Sequence, residues 1–292
     1  MDRKSFIRKA LISGSVGALA PTVLASESNK LSDKGSIKIS QEGYNHLPNK
    51  EIKTMKTVLH KANSRGQANH GWLQANHSFS FANYYNPERM NFGVLRVLND
   101  DQIAPGKGFG THPHDNMEII TIPLSGQVEH KDSMGNSGII SSGEIQVMSA
   151  GTGIQHSEYN KNTDQELKLL QIWVFPNQKQ VTPRYDQLKI SDTKTTNGFK
   201  QILSPNEDDD GVWIHQNAWF HLGEMNTNQE YTYTLQNKNN GVYAFLIEGE
   251  IQIQNQNLSS RDGLGIWDSE ELLIKSHTKS SVLLMEVPLQ IN

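Results

Sequence analysis

The chain of 292 residues contains no cysteine. Disulfide bonds and thiolate ligands are therefore excluded, and any bound metal must use nitrogen and oxygen ligands. Beyond the N-terminus, no apolar run approaches the roughly 20 residues that span a bilayer as a helix. The formal charge of −4 gives no electrostatic reason to expect binding to nucleic acid or to an anionic membrane. With 35% hydrophobic and 20% charged residues, the composition is that of a globular protein.

Residues 1–26 have the layout of an export signal. A mildly apolar stretch, residues 10–25, follows four basic residues: Arg3, Lys4, Arg8 and Lys9. The segment RKSFIRK resembles a twin-arginine signal, with Lys4 in place of the second arginine. We therefore expect an exported, periplasmic protein whose signal is removed. A cytoplasmic protein with a basic N-terminus is the alternative. Residues 27–54 are polar and are interpreted as a linker.

Helical periodicity with proper caps is also missing from the chain. From Met55 onward the sequence consists of short apolar or alternating runs that end in glycine, asparagine, aspartate or proline, which is typical of strands. The run FLIEGEIQIQ in the second half repeats the layout of TIPLSGQVEH in the first. We therefore predict an all-β protein of two tandem β-barrels, residues 55–180 and 181–292.

Two histidines, His112 and His114, are separated by one proline in the segment GFGTHPHDNMEIIT. Residues i and i+2 of a strand point to the same face, so both imidazoles aim at one place. A second pair with this spacing, His156 and Glu158, occurs in SAGTGIQHSEYN. Three imidazoles and one carboxylate suit a divalent first-row metal, with iron, manganese, nickel, copper and zinc all open. Four protein ligands on a six-coordinate ion leave two positions for substrate and dioxygen.

The segments around these pairs resemble the two cupin motifs. The first is GKGFGTHPHDNMEIITIPLSG and the second is GEIQVMSAGTGIQHSEYN. Together with GWLQANHSFSFANYYNPERMNFGVLRVLNDD (residues 71–101), they resemble the pirin family from about residue 55 to the C-terminus. The resemblance implies a bicupin of two jelly-roll barrels and one mononuclear metal, with Fe(II) first. It also implies the ligands His112, His114, His156 and Glu158, the same four that the spacing selects.

Bacterial pirins of this kind are similar to quercetin 2,3-dioxygenases. The resemblance therefore implies oxidative ring opening of a flavonol by O2, with Glu158 as both ligand and general base. A metal-loaded, redox-responsive binding or regulatory module is the alternative. No nucleic-acid or membrane partner is expected. The second barrel is expected to be degenerate, because Leu235 and Asn237 stand where His112 and His114 do, which predicts one metal per chain.

One residue competes for the carboxylate position. Glu118 stands where many cupins place a ligand, and, four residues after His114, it shares the face of that residue if the strand continues. We favour Glu158 as the ligand and Glu118 as a group that orients an imidazole. The remaining candidates are assigned structural roles. These are the histidines His70, His77 and His130 and the aromatic residues Trp72, Phe79, Phe81 and Tyr84, for which lining a flavonol pocket is the alternative.

Overall fold

The computed structural model describes residues 54–291. The predicted export signal and all but the last residue of the predicted linker lie outside the described residues. Within residues 54–291 the regular structure consists of strands and two short 3-10 helices, Ala62–Ser64 and Ile190–Asp192. In this part of the chain, no helix is long and apolar enough to cross a membrane.

The strands follow the short alternating runs of the sequence. Those of the first half are Lys56–His60 (β1), Gly66–Asn69 (β2), Leu73–His77 (β3), Leu95–Ile103 (β4), Gly108–His114 (β5), Glu118–Ser125 (β6), Gln127–Asp132 (β7), Ser137–Ser141 (β8), Glu144–Ser149 (β9), Ile154–Asn160 (β10), Leu167–Val174 (β11) and Arg184–Lys189 (β12). Those of the second half are Thr195–Thr196 (β13), Phe199–Ser204 (β14), Val212–Trp213 (β15), Trp219–Met225 (β16), Glu230–Thr234 (β17), Asn240–Glu248 (β18), Glu250–Ile253 (β19), Gln256–Ser259 (β20), Gly263–Trp267 (β21), Glu271–Ser276 (β22) and Ser280–Pro288 (β23).

The strands form two barrels whose sheets have the same strand order. In the first barrel a sheet of order β12-β9-β6-β11-β4-β3-β2 faces a sheet of order β5-β10-β7-β8. In the second, β1-β21-β18-β23-β16-β14-β13 faces β17-β22-β19-β20, and β15 pairs with β14. Position by position the two orders match, so β17 stands in the second barrel where β5 stands in the first. The predicted fold of two tandem barrels is confirmed.

In each barrel, one edge strand comes from the part of the chain that the sequence assigns to the other barrel. Strand β1 precedes the first barrel in sequence but pairs with β21 of the second barrel. Strand β12 follows the predicted division at residue 180 but pairs with β9 of the first barrel. The pairing of these two strands therefore crosses that division, and the domain boundary itself stays a prediction.

A shared apolar core lies between the two barrels. Ile120 and Ile172 of the first barrel pack there with Phe220, Phe245 and Met285 of the second. Each fully buried side chain of this kind contributes about 1.5–3 kcal/mol. The opposite faces of the same strands line the barrel interiors, which explains why runs such as LKLLQIWV are apolar on both faces.

Candidate metal centre

Three buried histidines meet inside the first barrel. His112 and His114 lie on β5 with one residue between them, and His156 lies opposite His112 on the neighbouring strand β10. One ring nitrogen from each residue lies within 4.8 Å of the others, and among the described residues this is the group that could hold a metal ion. The ring centroids are 4.4 Å apart for His112 and His156 and 4.9 Å apart for His112 and His114.

Hydrogen bonds orient two of these rings. Nδ1 of His112 lies 2.8 Å from the Gly110 carbonyl oxygen, and Nδ1 of His156 lies 3.1 Å from Nε2 of His130. Because Nδ1 of each ring already has a polar partner, Nε2 is the nitrogen through which each ring can bind a metal. The neutral imidazoles, together with a nearby carboxylate, form a donor set that fits a divalent first-row ion.

The carboxylate of Glu158 lies on the same face of β10 as His156 and is 3% exposed. Its Oε1 accepts hydrogen bonds from Thr121 Oγ1 (3.2 Å) and Gln171 Nε2 (3.4 Å). Gln171 also donates to Thr121 at 2.8 Å, so the three side chains form one buried network. Glu158 lies outside the group whose ligand atoms are all within 4.8 Å. Its role as the fourth ligand stays a prediction.

A glycine lets strand β5 approach this part of β10. A Cβ atom at Gly108 would collide with the backbone oxygen of Glu158 and with Cα of Tyr159. The strand register also shifts between His156 and Glu158. A glycine at position 108 therefore permits close contact between the two strands beside the site.

Glu118 does not orient an imidazole, and that expectation is wrong. It begins β6, where residues alternate between the two faces of the sheet. Thr121 faces the barrel interior and Glu158, so Glu118, three residues earlier, points the other way. Its Oε2 accepts a hydrogen bond from Ser149 Oγ at 2.7 Å. The turn between β5 and β6, in which Asn116 has a positive φ of 43°, breaks the strand periodicity counted from His114.

The position of Glu118 predicts a pH effect on stability. Burial raises its pKa from 4.5 to about 7, against smaller opposing effects of Ser149, Arg184 and the His215 backbone. Between those pH values the folded chain keeps a proton that the unfolded chain releases, so the free energy of unfolding falls as the pH rises. Glu118→Gln removes this effect. We expect the melting temperature of the variant to rise relative to wild type between pH 5 and pH 8, with metal content unchanged.

Thermal melts of both proteins at the two pH values, with metal analysis, check this result. A variant that loses its metal would return a metal-centre role to Glu118. An unchanged difference in melting temperature across the pH range would contradict the buried, protonated carboxyl.

His130, to which the sequence analysis assigns a structural role, lies beside the histidine cluster. It is fully buried on β7 and contacts His156. The signal was present in QVEHKD, because an alternating strand that buries Val128 also buries His130. His77 is buried and bonded to Asn99 at 2.8 Å, whereas His70 is exposed in the turn before β3. The structural roles expected of these two histidines are compatible with these positions.

The aromatic residues divide between core and site. Phe79 packs against Tyr243 of the second barrel, with ring centroids 5.2 Å apart. Phe81 packs edge-on against Trp173 at 5.3 Å, and Trp173 packs edge-on against His114 at 5.0 Å. Phe81 therefore supports the metal centre through Trp173, while Phe79 belongs to the contact between barrels.

A cavity of about 410 Å³ opens beside His114 at the mouth of the first barrel. The ends of β5 and β10 and the turns around them line it, with side chains that include Pro113, Asp115, Ser133, Thr152 and Ile154. This volume lies within the range of about 300–1,000 Å³ found for small-molecule sites. The cavity is therefore of a size that suits a small molecule beside His114.

The second barrel has a cavity of about 460 Å³, lined in part by Phe199, His221 and Tyr233. The Tyr233 hydroxyl donates to Glu286 at 2.9 Å and lies 3.2 Å from His221 Nδ1. Strand β17, which takes the place of β5, carries Thr232 and Thr234 and no histidine. The absence of a second metal stays a prediction.

Two barrels with the same strand order, and a histidine cluster inside the first that could hold a metal ion, define a bicupin. The Pirin family model matches residues 58–174, and a model described as the quercetinase C-terminal cupin domain matches residues 201–287. The chain belongs to the pirin family.

Individual relatives agree with this assignment. The quercetin 2,3-dioxygenase of Escherichia coli K12 is 44% identical over 230 residues, which cover 79% of this chain and 98% of the relative. A pirin-like protein of Caulobacter vibrioides is 37% identical over 222 residues, covering 76% and 95%. The crystal structure of YhhW from Escherichia coli is 42% identical, with a TM-score of 0.76 and coverage of 81% of this chain and 100% of that one. A second structure of that bacterial pirin is a complex with nickel(II), with a TM-score of 0.75.

Proposed function

We propose that this protein is a metal-dependent dioxygenase that opens the ring of a flavonol such as quercetin with O2. The observation that carries the proposal is the convergence of three buried imidazoles within 4.8 Å of one another, beside a cavity of small-molecule size. Family membership supports the substrate class, because a relative that this chain covers almost completely is named quercetin 2,3-dioxygenase.

His112, His114, His156 and Glu158 are the residues that would hold the metal. Fe(II) is our first choice, and manganese, nickel, copper and zinc accept the same nitrogen and oxygen donors. The nickel(II) complex of the Escherichia coli pirin supports a divalent ion of this series. When bound, such an ion supplies Lewis-acid chemistry and redox chemistry with dioxygen.

The protein's own residues position the flavonol and exclude water. The cavity beside His114 admits the flat ring system with its 3-hydroxyl and 4-carbonyl groups toward the histidines. Trp173 is 1% exposed and closes the interior behind His114 with an apolar surface. A site of low polarity strengthens the electrostatic interactions of the bound flavonolate.

Glu158 is the group that takes the proton of the flavonol 3-hydroxyl. Thr121 and Gln171 both donate hydrogen bonds to Oε1. Neither of these two bonds involves Oε2, so we assign the proton transfer to Oε2. Hydrogen bonds to a carboxylate favour its ionised form. Thr121 and Gln171 therefore hold the carboxylate of the proposed base in one orientation.

The test is turnover of quercetin in air by purified, metal-loaded protein. We expect the visible absorbance of the flavonol to disappear with equimolar uptake of O2, and both signals to vanish after chelation of the metal. Stable absorbance in the presence of a bound metal would refute the enzyme and favour a metal-loaded binding module.

The same proposal includes export to the periplasm through the segment RKSFIRK and the apolar stretch that follows. Small residues in the segment TVLA support cleavage directly after it, so we expect a mature N-terminus at Ser26 or Glu27. N-terminal sequencing of protein from the periplasmic fraction of its own host checks this. Protein that keeps Met1 and fractionates with the cytoplasm would refute export.

A further inference from the structure

His130 is fully buried beside the metal centre and has no part in the function proposed above. It lies on β7, opposite Glu158 of the adjacent strand β10. Its Nε2 lies 3.1 Å from Nδ1 of His156. The two ring centroids are 5.2 Å apart.

The contact between the two rings fixes a tautomer on each of them. If His156 binds a metal through Nε2, its Nδ1 carries a hydrogen and acts as a donor. The nitrogen that faces it, Nε2 of His130, must then be the acceptor. His130 is therefore neutral, with its hydrogen on Nδ1.

Burial of a neutral imidazole in this position costs free energy that a side chain with only a packing role would avoid. Nδ1 of His130 is buried and has no hydrogen-bond partner within residues 54–291, and leaving a buried polar atom in this state costs free energy. The ring of Tyr185, on β12, lies 5.0 Å away and tilted by 33°, so it covers His130 without bonding to it. A phenylalanine would fill similar space without that cost, whereas it could not accept a hydrogen from His156.

We propose that His130 is a positioning residue that orients His156 and sets its tautomer for metal binding through Nε2. The proposal rests on the metal centre proposed above, with His156 as a ligand. Partners of this kind hold the ligand ring at one angle and increase its basicity, and their loss typically weakens metal affinity 10- to 100-fold.

The test compares His130→Phe with His130→Gln. Phenylalanine keeps an aromatic ring under Tyr185 and removes the acceptor, whereas the glutamine Oε1 can take the place of Nε2. Affinity for Fe(II) or Ni(II) is measured by competition with a chromophoric chelator, without any substrate. We expect the phenylalanine variant to bind the metal about 10- to 100-fold more weakly, and the glutamine variant to recover most of the loss.

Two controls separate positioning from packing. The melting temperature of the metal-free proteins reports the fold alone, and we expect the phenylalanine variant to melt no lower than the glutamine variant. His221→Phe removes another buried imidazole with one side-chain hydrogen bond, in the second barrel, and should leave metal affinity unchanged. If His130→Phe does not fold, His130→Leu provides the same comparison with His130→Gln.

Wild-type metal affinity in the phenylalanine variant would overturn the proposal, as would an equal loss of affinity in the phenylalanine and glutamine variants. A wild-type protein that binds neither metal would instead overturn the metal centre and the function built on it. These two failures are distinguishable because the first leaves the wild-type metal content intact.

Discussion

Replacement of His156 by alanine is expected to abolish tight metal binding while the first barrel still folds. The change removes one of three imidazoles that converge inside the barrel and deletes little apolar volume. Loss of a direct ligand should exceed the 10- to 100-fold effect of losing an orienting partner, so we expect affinity to fall by more than about 100-fold. Metal analysis of the purified variant and its circular dichroism spectrum measure the two parts of this result.

His277→Ala is the matched control, because that imidazole is exposed in the second barrel. It should keep the full metal content. If the His156→Ala protein kept the wild-type metal content, His156 would not be a ligand. The three histidines would then not form the metal centre proposed here.

The second large effect is expected for Glu158→Gln, which should nearly abolish flavonol turnover. The amide is a poorer ligand than a carboxylate and cannot act as a base. Loss of a general base alone costs about 10²- to 10⁴-fold, and weaker metal binding adds to this. Turnover is measured as the rate of quercetin bleaching at saturating metal, so that a deficit in occupancy is separated from a deficit in chemistry.

Glu118→Gln is the control for this variant, since it also converts a buried glutamate into its amide. Glu118 faces Ser149 on the outer side of β6, so its variant should keep turnover close to wild type. If Glu118→Gln were the more damaging change, the assignment of the carboxylate to Glu158 would be contradicted.

The histidine cluster could be predicted from sequence because strand geometry is local. Two residues that are two positions apart share a face in any strand, so HPH and HSE each specify a pair of side chains. The pairing of β5 with β10, which brings His156 opposite His112, depends on contacts distant in sequence. The resemblance to the cupin motifs supplied that part.

For Glu118, strand alternation predicts the wrong face. Counting faces from His114 requires one unbroken strand, and the turn at Asn116 separates β5 from β6 and resets the alternation. The error therefore came from extending a strand pattern across a turn. For His130, the alternation of β7 already predicts a position inside the barrel, whereas its contact with His156 depends on the pairing of β7 with β10.

The exchange of β1 and β12 between the barrels could not be read from the sequence. Both are short strands at the edges of their sheets, and nothing in their composition states which neighbour they join. The pairing of β12 with β9 brings Tyr185 over His130. The segment between the barrels thus contributes a residue to the surroundings of the metal centre.

The number of metal ions bound per chain distinguishes one metal centre from two. The account places one metal centre in the first barrel and none in the second, where β17 carries no histidine. Elemental analysis of protein loaded with Fe(II) or Ni(II) should give close to one ion per chain, and His112→Ala should reduce that value to nearly zero. A value near two, with His112→Ala removing a single equivalent, would contradict the account by showing a second site outside the first barrel.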